Sequence, residues 1–505
     1  MSVLLAFLLI FAMLVEGLRS GPAPEYVVYP RLLEARGING EKILQISEQL
    51  SLRLEKSSAI AEKLVVSSLN GAEQVETIVD GKEVEKNIYH DKNQMAAVSL
   101  SEQNGTVQVT GALGRTLRIA PLPLMGRCEA GCGAHRIFEI EEAEEYKNDF
   151  IAPAERNAFG RRPIYPSTQI PSVFFVEVAM VFDQHHRKQF KTKESLLQYA
   201  GLTVQLINMR YDVTSDPKVQ FVLVAVLEIS GIKTVVAQDY AKPPGYNKRY
   251  VLLRPALLKL AWKVNTARIK FPGDLVTLVT SRDIASLDEN GVLSSVVLGA
   301  AYIGQLCRFL RVAATEDMPH TFSMVSILTH EWGHLLGMVH DGDKPGYYTP
   351  AYKNLVCNPK DGYIMAPRAN GARNGQWSEC SLDQLKGFVR TLDQACLDVR
   401  SQTRYNINMT ELPGAKITKE QLCRDSFPDF GPLIYVPDEN ISIRVRTPVT
   451  KVCVNLSCPQ KDRKPSECYT WCCSERFGTC MEVVLVDGMQ CKDGHHCLKQ
   501  KCVKK

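Results

Sequence analysis

Past its first 15 residues the 505-residue chain has no apolar run of the ~20 residues that a bilayer span needs; the longest, VQFVLVAVLEI from Val219, has strand length. An excess of one charge is also missing. Sixty basic residues against 55 acidic ones leave a dispersed net charge of +5, which excludes the electrostatic footprint of a nucleic-acid partner. There is no internal repeat and no low-complexity tract. What remains is a chain too long for one compact core, with about three domains expected from length.

The N-terminus does carry an apolar stretch, Val3 to Val15, followed by EGLRSGPAP with the small residue Gly17 as a cleavage position. It is too short to span a bilayer comfortably and reads as a secretory signal. Sixteen cysteines, an even number, suit an oxidising compartment: ten lie between Cys423 and Cys502, four between Cys307 and Cys396, and two are Cys128 and Cys132. Four glycosylation sequons, at Asn104, Asn408, Asn440 and Asn455, fit the same secreted, extracellular destination.

Residues 18 to about 150 are polar, with short alternating segments and Gly turns that predict β-rich structure and nothing catalytic. FIAPAERNAFGRRPIYPSTQIP, with four prolines, reads as an exposed linker. From Val173 strands and helices alternate: VFFVEVAMVFD, the helix KESLLQYAGLTVQLINMRY, VQFVLVAVLEI, the helix PALLKLAWKVNTARI, DLVTLVTSRDI and VLGAAYIGQLC. Apolar residues on both faces of Val219–Ile229 suggest a central strand covered on both sides, hence an α/β layer. A long amphipathic helix is expected from about Thr321 and a last one over SLDQLKGFVRTLDQACL, after which the pattern dissolves into a cysteine framework.

The chemistry lies in THEWGHLLGMVHDG, residues 329–342, which holds three of the chain's ten histidines. On a helix His330 and His334 sit about 40° apart in azimuth and one turn along, so both imidazoles reach one ion. Zinc wants a tetrahedron, and His340 supplies a third nitrogen if the helix ends first. Gly337 lets it end, because glycine tolerates the left-handed conformation that turns the chain back. Glu331, beside the first ligand, is then placed to take a proton from water that the metal has acidified, as a general base for peptide hydrolysis. The sequence H-E-x-x-H-x-x-G-x-x-H, with Asp341 behind it, fixes too many positions for a chance amphipathic helix.

This extended motif resembles that of the metzincin metalloproteases, and the aspartate after the third histidine resembles the adamalysin/reprolysin branch. Met365, in YIMAP 25 residues past His340, resembles the Met-turn beneath the zinc ligands. The resemblance implies an α/β metzincin catalytic domain, a mixed twisted sheet with an active-site helix, with a β-rich propeptide before it and a disulfide-rich module after it. The expected division is signal peptide 1–17, propeptide and linker 18–171, protease domain 172–400 and cysteine-rich domain 401–505. GAAYIGQLC resembles the edge strand that pairs with extended substrate. By the same resemblance Cys307 pairs with Cys396 and Cys357 with Cys380; Asp341 anchors the loop bearing His340; and Glu177 and Asp274 fall where calcium carboxylates would be. The cofactors implied are one Zn2+ and, with those carboxylates, Ca2+.

The upstream region resembles a reprolysin propeptide, in which a cysteine thiolate takes the fourth zinc position. The candidates here are Cys128 and Cys132 in LMGRCEAGCG, a context that departs from the family's; the same two cysteines suit equally a bridge to each other or to another part of the chain. Arg161-Arg162 is a dibasic site, spoiled by Pro163. There is no thrombospondin-like repeat, and the layout is similar to the secreted reprolysin-like enzymes of tick salivary glands, which implies fibrinogen, fibrin or matrix proteins as substrates. The expected function is a secreted zinc metalloendopeptidase made as a zymogen. The rival is a secreted binding protein acting through its cysteine-rich module over a vestigial protease.

Overall fold

A computed structural model of the chain describes residues 25–34, 42–70, 73–103, 106–122, 133–146, 149–151, 170–229, 240–241, 250–265, 272–287, 292–345, 357–399, 418–426, 434–435, 468–474, 479–485, 489–498 and 501–504. The signal segment, Cys128 and Cys132, the four sequon asparagines and Arg161-Arg162 lie outside the described residues.

The chain divides into two compact units. The first, drawn mainly from residues up to Glu142, is built on a nine-stranded, largely antiparallel sheet. Alternation along Ser51–Lys56, where Leu52 and Leu54 are buried and their neighbours exposed, is the pattern of a sheet with one face in a core. Leu44, Val98, Leu100, Val109 and Ile119 line the same core.

The second unit carries the histidines. Its eight-stranded sheet uses β1 (Ile60–Asn70), β2 (Glu73–Asp80), β3 (Phe150–Ile151), β4 (Val173–Phe182), β5 (Lys218–Ile229), β6 (Leu275–Thr280), β7 (Gly299–Tyr302) and β8 (Val312–Glu316). The strand order is β3-β7-β8-β6-β4-β5-β1-β2. The centre is parallel, β8, β6, β4, β5 and β1 in turn, while β7 runs antiparallel to β8. Every residue of β6 is buried, as are seven consecutive residues of β4 and of β5, as expected of strands covered on both faces.

Three of these strands, β1, β2 and β3, come from the span expected as propeptide and linker, apart from the protease. The β1-β2 hairpin extends the sheet beyond β5, with Ala225–Ile229 paired in register to Val65–Leu69. Ala61 joins the hydrophobic core of the central strands, Leu64 is fully buried, and the Glu85 carboxylate accepts from the Ala59 and Ile60 amides at 2.6 and 3.1 Å. The span 18–171 is therefore shared between the two units. Alternation in β1 reads the same whichever sheet receives it, which is why sequence does not say where the strand goes.

Four helices matter for the site: α1 (Lys193–Tyr211), α2 (Leu253–Asn265), α3 (Met324–Leu335) and α4 (Glu379–Val389). The N-terminus of α1 is closed by a capping box between Thr192 and Ser195. Its Asn208 exchanges hydrogen bonds with the backbone of Phe221 on β5, and the Tyr211 hydroxyl donates to the Thr329 carbonyl of α3 at 2.9 Å. The last predicted helix is two pieces, α4 and a turn over Gln394–Leu397 whose start Asp393 caps by accepting from the Cys396 amide. Such a side chain competes with helix continuation, so RTLD breaks the periodic pattern.

Disulfides join Cys307 to Cys396 and Cys357 to Cys380, and in the C-terminal region Cys423 to Cys472, Cys468 to Cys497 and Cys491 to Cys502. Among the described residues no helix is long and apolar enough to cross a membrane.

Candidate zinc centre

Helix α3 is buried almost throughout and is held at both ends and on its flank. Its C-terminal end is a Schellman motif: the Met338 amide donates to the Gly333 carbonyl and the Gly337 amide to the His334 carbonyl, with Gly337 at φ +90°. A Cβ on Gly337 would lie 2.8 Å from Phe388 of α4, so both conformation and space require glycine. Trp332, at the variable position beside Glu331, is fully buried against Phe221, with 4.7 Å between ring centroids. Its indole N–H donates to the Thr277 hydroxyl of β6 at 3.0 Å. This side chain fastens the active-site helix to the sheet.

The turn at Gly337 brings His340 back to His330 and His334. The His330 Nε2 atom is 3.1 Å from the Nε2 atoms of both His334 and His340. Each of the two helical imidazoles gives its Nδ1–H to a carbonyl, His330 to Ile364 at 2.5 Å and His334 to Met338 at 2.8 Å. With Nδ1 protonated, Nε2 carries a lone pair, and lone pairs facing one another at this distance call for a cation. Zinc–nitrogen bonds of about 2.0–2.1 Å in a tetrahedron put ligand nitrogens about 3.3 Å apart, so the donor set fits zinc. Burial lowers the pKa of His330 and pushes His340 down to about 4, keeping both rings neutral as ligands must be.

Around the ligands, Met365 is fully buried, its sulfur 2.8 Å from where a Cβ on Gly333 would stand, beneath the helix. The carbonyl before it, Ile364, is the one that orients His330, and its own carbonyl accepts from the Asp341 amide at 2.8 Å. The Asp341 carboxylate accepts from the Ser378 hydroxyl at 2.6 Å, and Ser378 is the N-cap of α4. Asp341 thus links the third ligand's loop to the Met365 turn and to the next helix. Burial pushes its pKa up to about 6 against the Ser378 hydrogen bond.

Glu331 is completely buried, and neither carboxylate oxygen has a hydrogen-bond partner. Burial, with the charge of Asp149 second, raises its pKa well above the usual carboxylate range. Beside it runs β7: a Cβ on Gly299 would meet Ile327 at 2.5 Å and a Glu331 oxygen at 3.0 Å, so the edge strand approaches the carboxylate closely because this residue has no side chain.

Asp149 is the residue that sequence reasoning missed. Its carboxylate faces all three imidazoles, 3.1 Å from Nε2 of His330, 3.5 Å from that of His334 and 3.1 Å from that of His340. Burial pushes its pKa up, but the nearby histidines, His330 foremost, outweigh this and hold it well below the ordinary carboxylate range. A lone aspartate in EEYKNDF, at the edge of a proline-rich linker, has no motif to announce it.

The remaining site residues lie elsewhere. Glu177 on β4 and Asp274 are buried neighbours joined by two hydrogen bonds, the Glu177 amide to the Asp274 carboxylate at 2.9 Å and the Asp274 amide to the Glu177 carbonyl at 2.7 Å. They form a separate pair from the three histidines.

Two buried imidazoles and a carboxylate on one helix, with a third imidazole returned by the turn after it, form the donor set of a metal-dependent hydrolase. Residues 261–400 match the Reprolysin (M12B) family zinc metalloprotease, and this match supports zinc metalloendopeptidase activity. It is 26% identical over 351 residues to the venom metalloproteinase BumaMPs1 of Olivierus martensii, covering 67% of this chain and 84% of that protein. It is 26% identical to the venom metalloproteinase antarease TserMP_A of Tityus serrulatus, covering 74% and 92%. A protein of Bombyx mori described as a disintegrin and metalloproteinase with thrombospondin motifs like is 23% identical and matches 92% of this chain and 73% of its own length.

Proposed function

We propose that this chain is made as a secreted zymogen and, once released, hydrolyses peptide bonds of extracellular proteins with Glu331 as general base. The observation that carries the reading is the donor set itself: Nε2 atoms 3.1 Å apart on fixed tautomers, beside a buried carboxylate without a hydrogen-bond partner. Bound zinc supplies a positive charge that acidifies water towards a pKa of ~7 and polarises a carbonyl. Glu331, next in sequence to the first ligand, takes the proton of the attacking water and returns it to the leaving amine. Gly299 keeps the edge strand against Glu331, so a peptide paired to that edge has its backbone beside the base.

The secreted route is supported by the N-terminal apolar run, the sequons and the disulfides among the described residues. Calcium is the finer part of the cofactor reading and rests on the adjacent buried carboxylates of Glu177 and Asp274. Kinship to venom metalloproteinases and the salivary-type layout make fibrinogen, fibrin and matrix proteins the substrates to try first.

The test compares the processed wild-type chain with Glu331→Gln. Both are expected to bind one zinc per chain, while cleavage of a denatured protein falls by about 10²–10⁴-fold in the variant. Zinc at one per chain in both, with wild type cutting no faster than the variant across those substrates, would sink the reading.

A further inference from the structure

The geometry points to Asp149 as a fourth ligand to the ion that the three histidines hold, placed there by a strap of chain, residues 144–146 and 149–151, that keeps the enzyme latent. This rests on the zinc reading above. The strap is anchored at both ends. At its start the Ala369 amide donates to the Glu144 carbonyl at 2.8 Å, the Tyr146 amide donates to the Pro367 carbonyl at 3.0 Å, and Arg368 pairs with Glu145 at 2.9 Å. At its end β3 adds to β7 in parallel, Phe150 beside Ala301 and Ile151 beside Tyr302. Between the anchors the Asp149 amide donates to the Tyr146 carbonyl at 3.3 Å. The Tyr146 ring lies flat on His330, 4.1 Å between centroids and 7° between planes.

Asp149 thereby faces the point the imidazoles share. Its Oδ2 lies 3.1 Å from Nε2 of His330 and its Oδ1 3.5 and 3.1 Å from those of His334 and His340, close to the 3.1 Å that separates His330 Nε2 from the other two, so the carboxylate completes a four-residue donor set. Asp149 is 1% exposed and neither of its oxygens accepts a hydrogen bond. A carboxylate so buried is expensive unless it meets a cation, and carboxylate oxygen is an ordinary zinc ligand at about 2.0–2.2 Å. The strap therefore takes both things a substrate needs, the open metal position and the backbone groups of the edge strand. Cutting the chain after Ile151 separates it covalently from β4 and the strands and helices that follow it.

The experiment uses the full-length chain in a Glu331→Gln background, so that no self-cleavage removes the strap. Metal content, the visible spectrum of the cobalt-substituted protein and calorimetric affinity for a peptide hydroxamate are measured, with thermal melting as the folding control. Asp149→Ala and the isosteric Asp149→Asn are expected to keep one metal per chain, to alter the cobalt spectrum and to bind the hydroxamate about 100-fold more tightly, the effect of unmasking a site open about 1% of the time. Cys128→Ser combined with Cys132→Ser is expected to change none of these. The inference is overturned if folded Asp149 variants match their parent in spectrum and affinity, or if the cysteine variant alone opens the site. Absence of metal from the parent itself would instead overturn the zinc reading on which the strap depends.

Discussion

The two edges of the protease sheet are both covered by chain from before residue 171, and they are covered in opposite ways. At the β5 edge the β1-β2 hairpin pairs over a long register, places Ala61 in the central core and buries Leu64 and Val66. At the β7 edge β3 pairs over two residues, and the group it brings to the site is a carboxylate whose affinity depends on a metal. The first is held by hydrophobic burial, which is insensitive to what the active site contains. The second is held by a few backbone hydrogen bonds, one stacked ring, the Arg368–Glu145 ion pair and the Asp149 carboxylate. An upstream region can thus supply a lasting part of the fold at one edge and a removable block at the other.

The largest expected effect breaks the first edge. Leu64→Ala in the full-length chain is expected to cost about 2–5 kcal/mol, as large-to-small changes at fully buried sites do. Asp149→Ala in the metal-free chain is expected to cost less, because the cost of burying the carboxylate offsets part of its attraction to the three imidazoles. Denaturant melts of both variants check the contrast. Equal losses, or a smaller one for Leu64→Ala, would mean that the two edges are not held differently.

The same contrast governs what could be read from sequence. The metal site was legible because its constraints are local: a four-residue spacing puts His330 and His334 on one helical face, and a glycine at Gly337 is what a helix needs in order to stop before His340. Alternation and apolar runs likewise marked β4, β5 and β6 as strands of a covered sheet. Nothing local in the sequence places Trp332, because the partner of its N–H, Thr277, is 55 residues away in the chain. The short strand VAATE, β8, made of small residues, gives little hydrophobic contrast and went unread. Asp149 and the β1-β2 hairpin were illegible for a different reason. Their roles are set by which distant element they meet, and a two-residue strand or a single carboxylate has no periodicity with which to declare a partner.

Within the site, the imidazoles should prove as firmly built as the hairpin edge. Gly337→Ala forces a left-handed backbone on a residue that resists it, at about 1–2 kcal/mol, and drives a Cβ to 2.8 Å from Phe388. We expect about 2–4 kcal/mol of lost stability in all, once overpacking is added. Zinc affinity should fall with it, because the turn that returns His340 is displaced. Chemical denaturation and a competing chelator measure the two effects separately. A variant that loses stability while keeping full zinc affinity would show that the His340 loop is positioned independently of the helix end.

The smallest effect concerns the link behind the third ligand. Ser378→Ala removes the N-cap of α4 and the hydroxyl that donates to Asp341 at 2.6 Å. Loss of an N-cap costs about 1 kcal/mol, and the Asp341 carboxylate is left with less to offset its burial, so about 1–2 kcal/mol is expected. Ser378→Thr and Ser378→Asp separate the two roles. Threonine keeps a cap and a donor and should restore most of the stability, whereas aspartate keeps the cap but sets a second carboxylate against Asp341 and should remain destabilised at neutral pH. If aspartate were as stable as serine, the hydrogen bond to Asp341 would carry none of the linkage, and the third ligand's loop would be held instead by the Asp341 amide on the Met365 carbonyl and the Val339 amide on the Gln384 side chain.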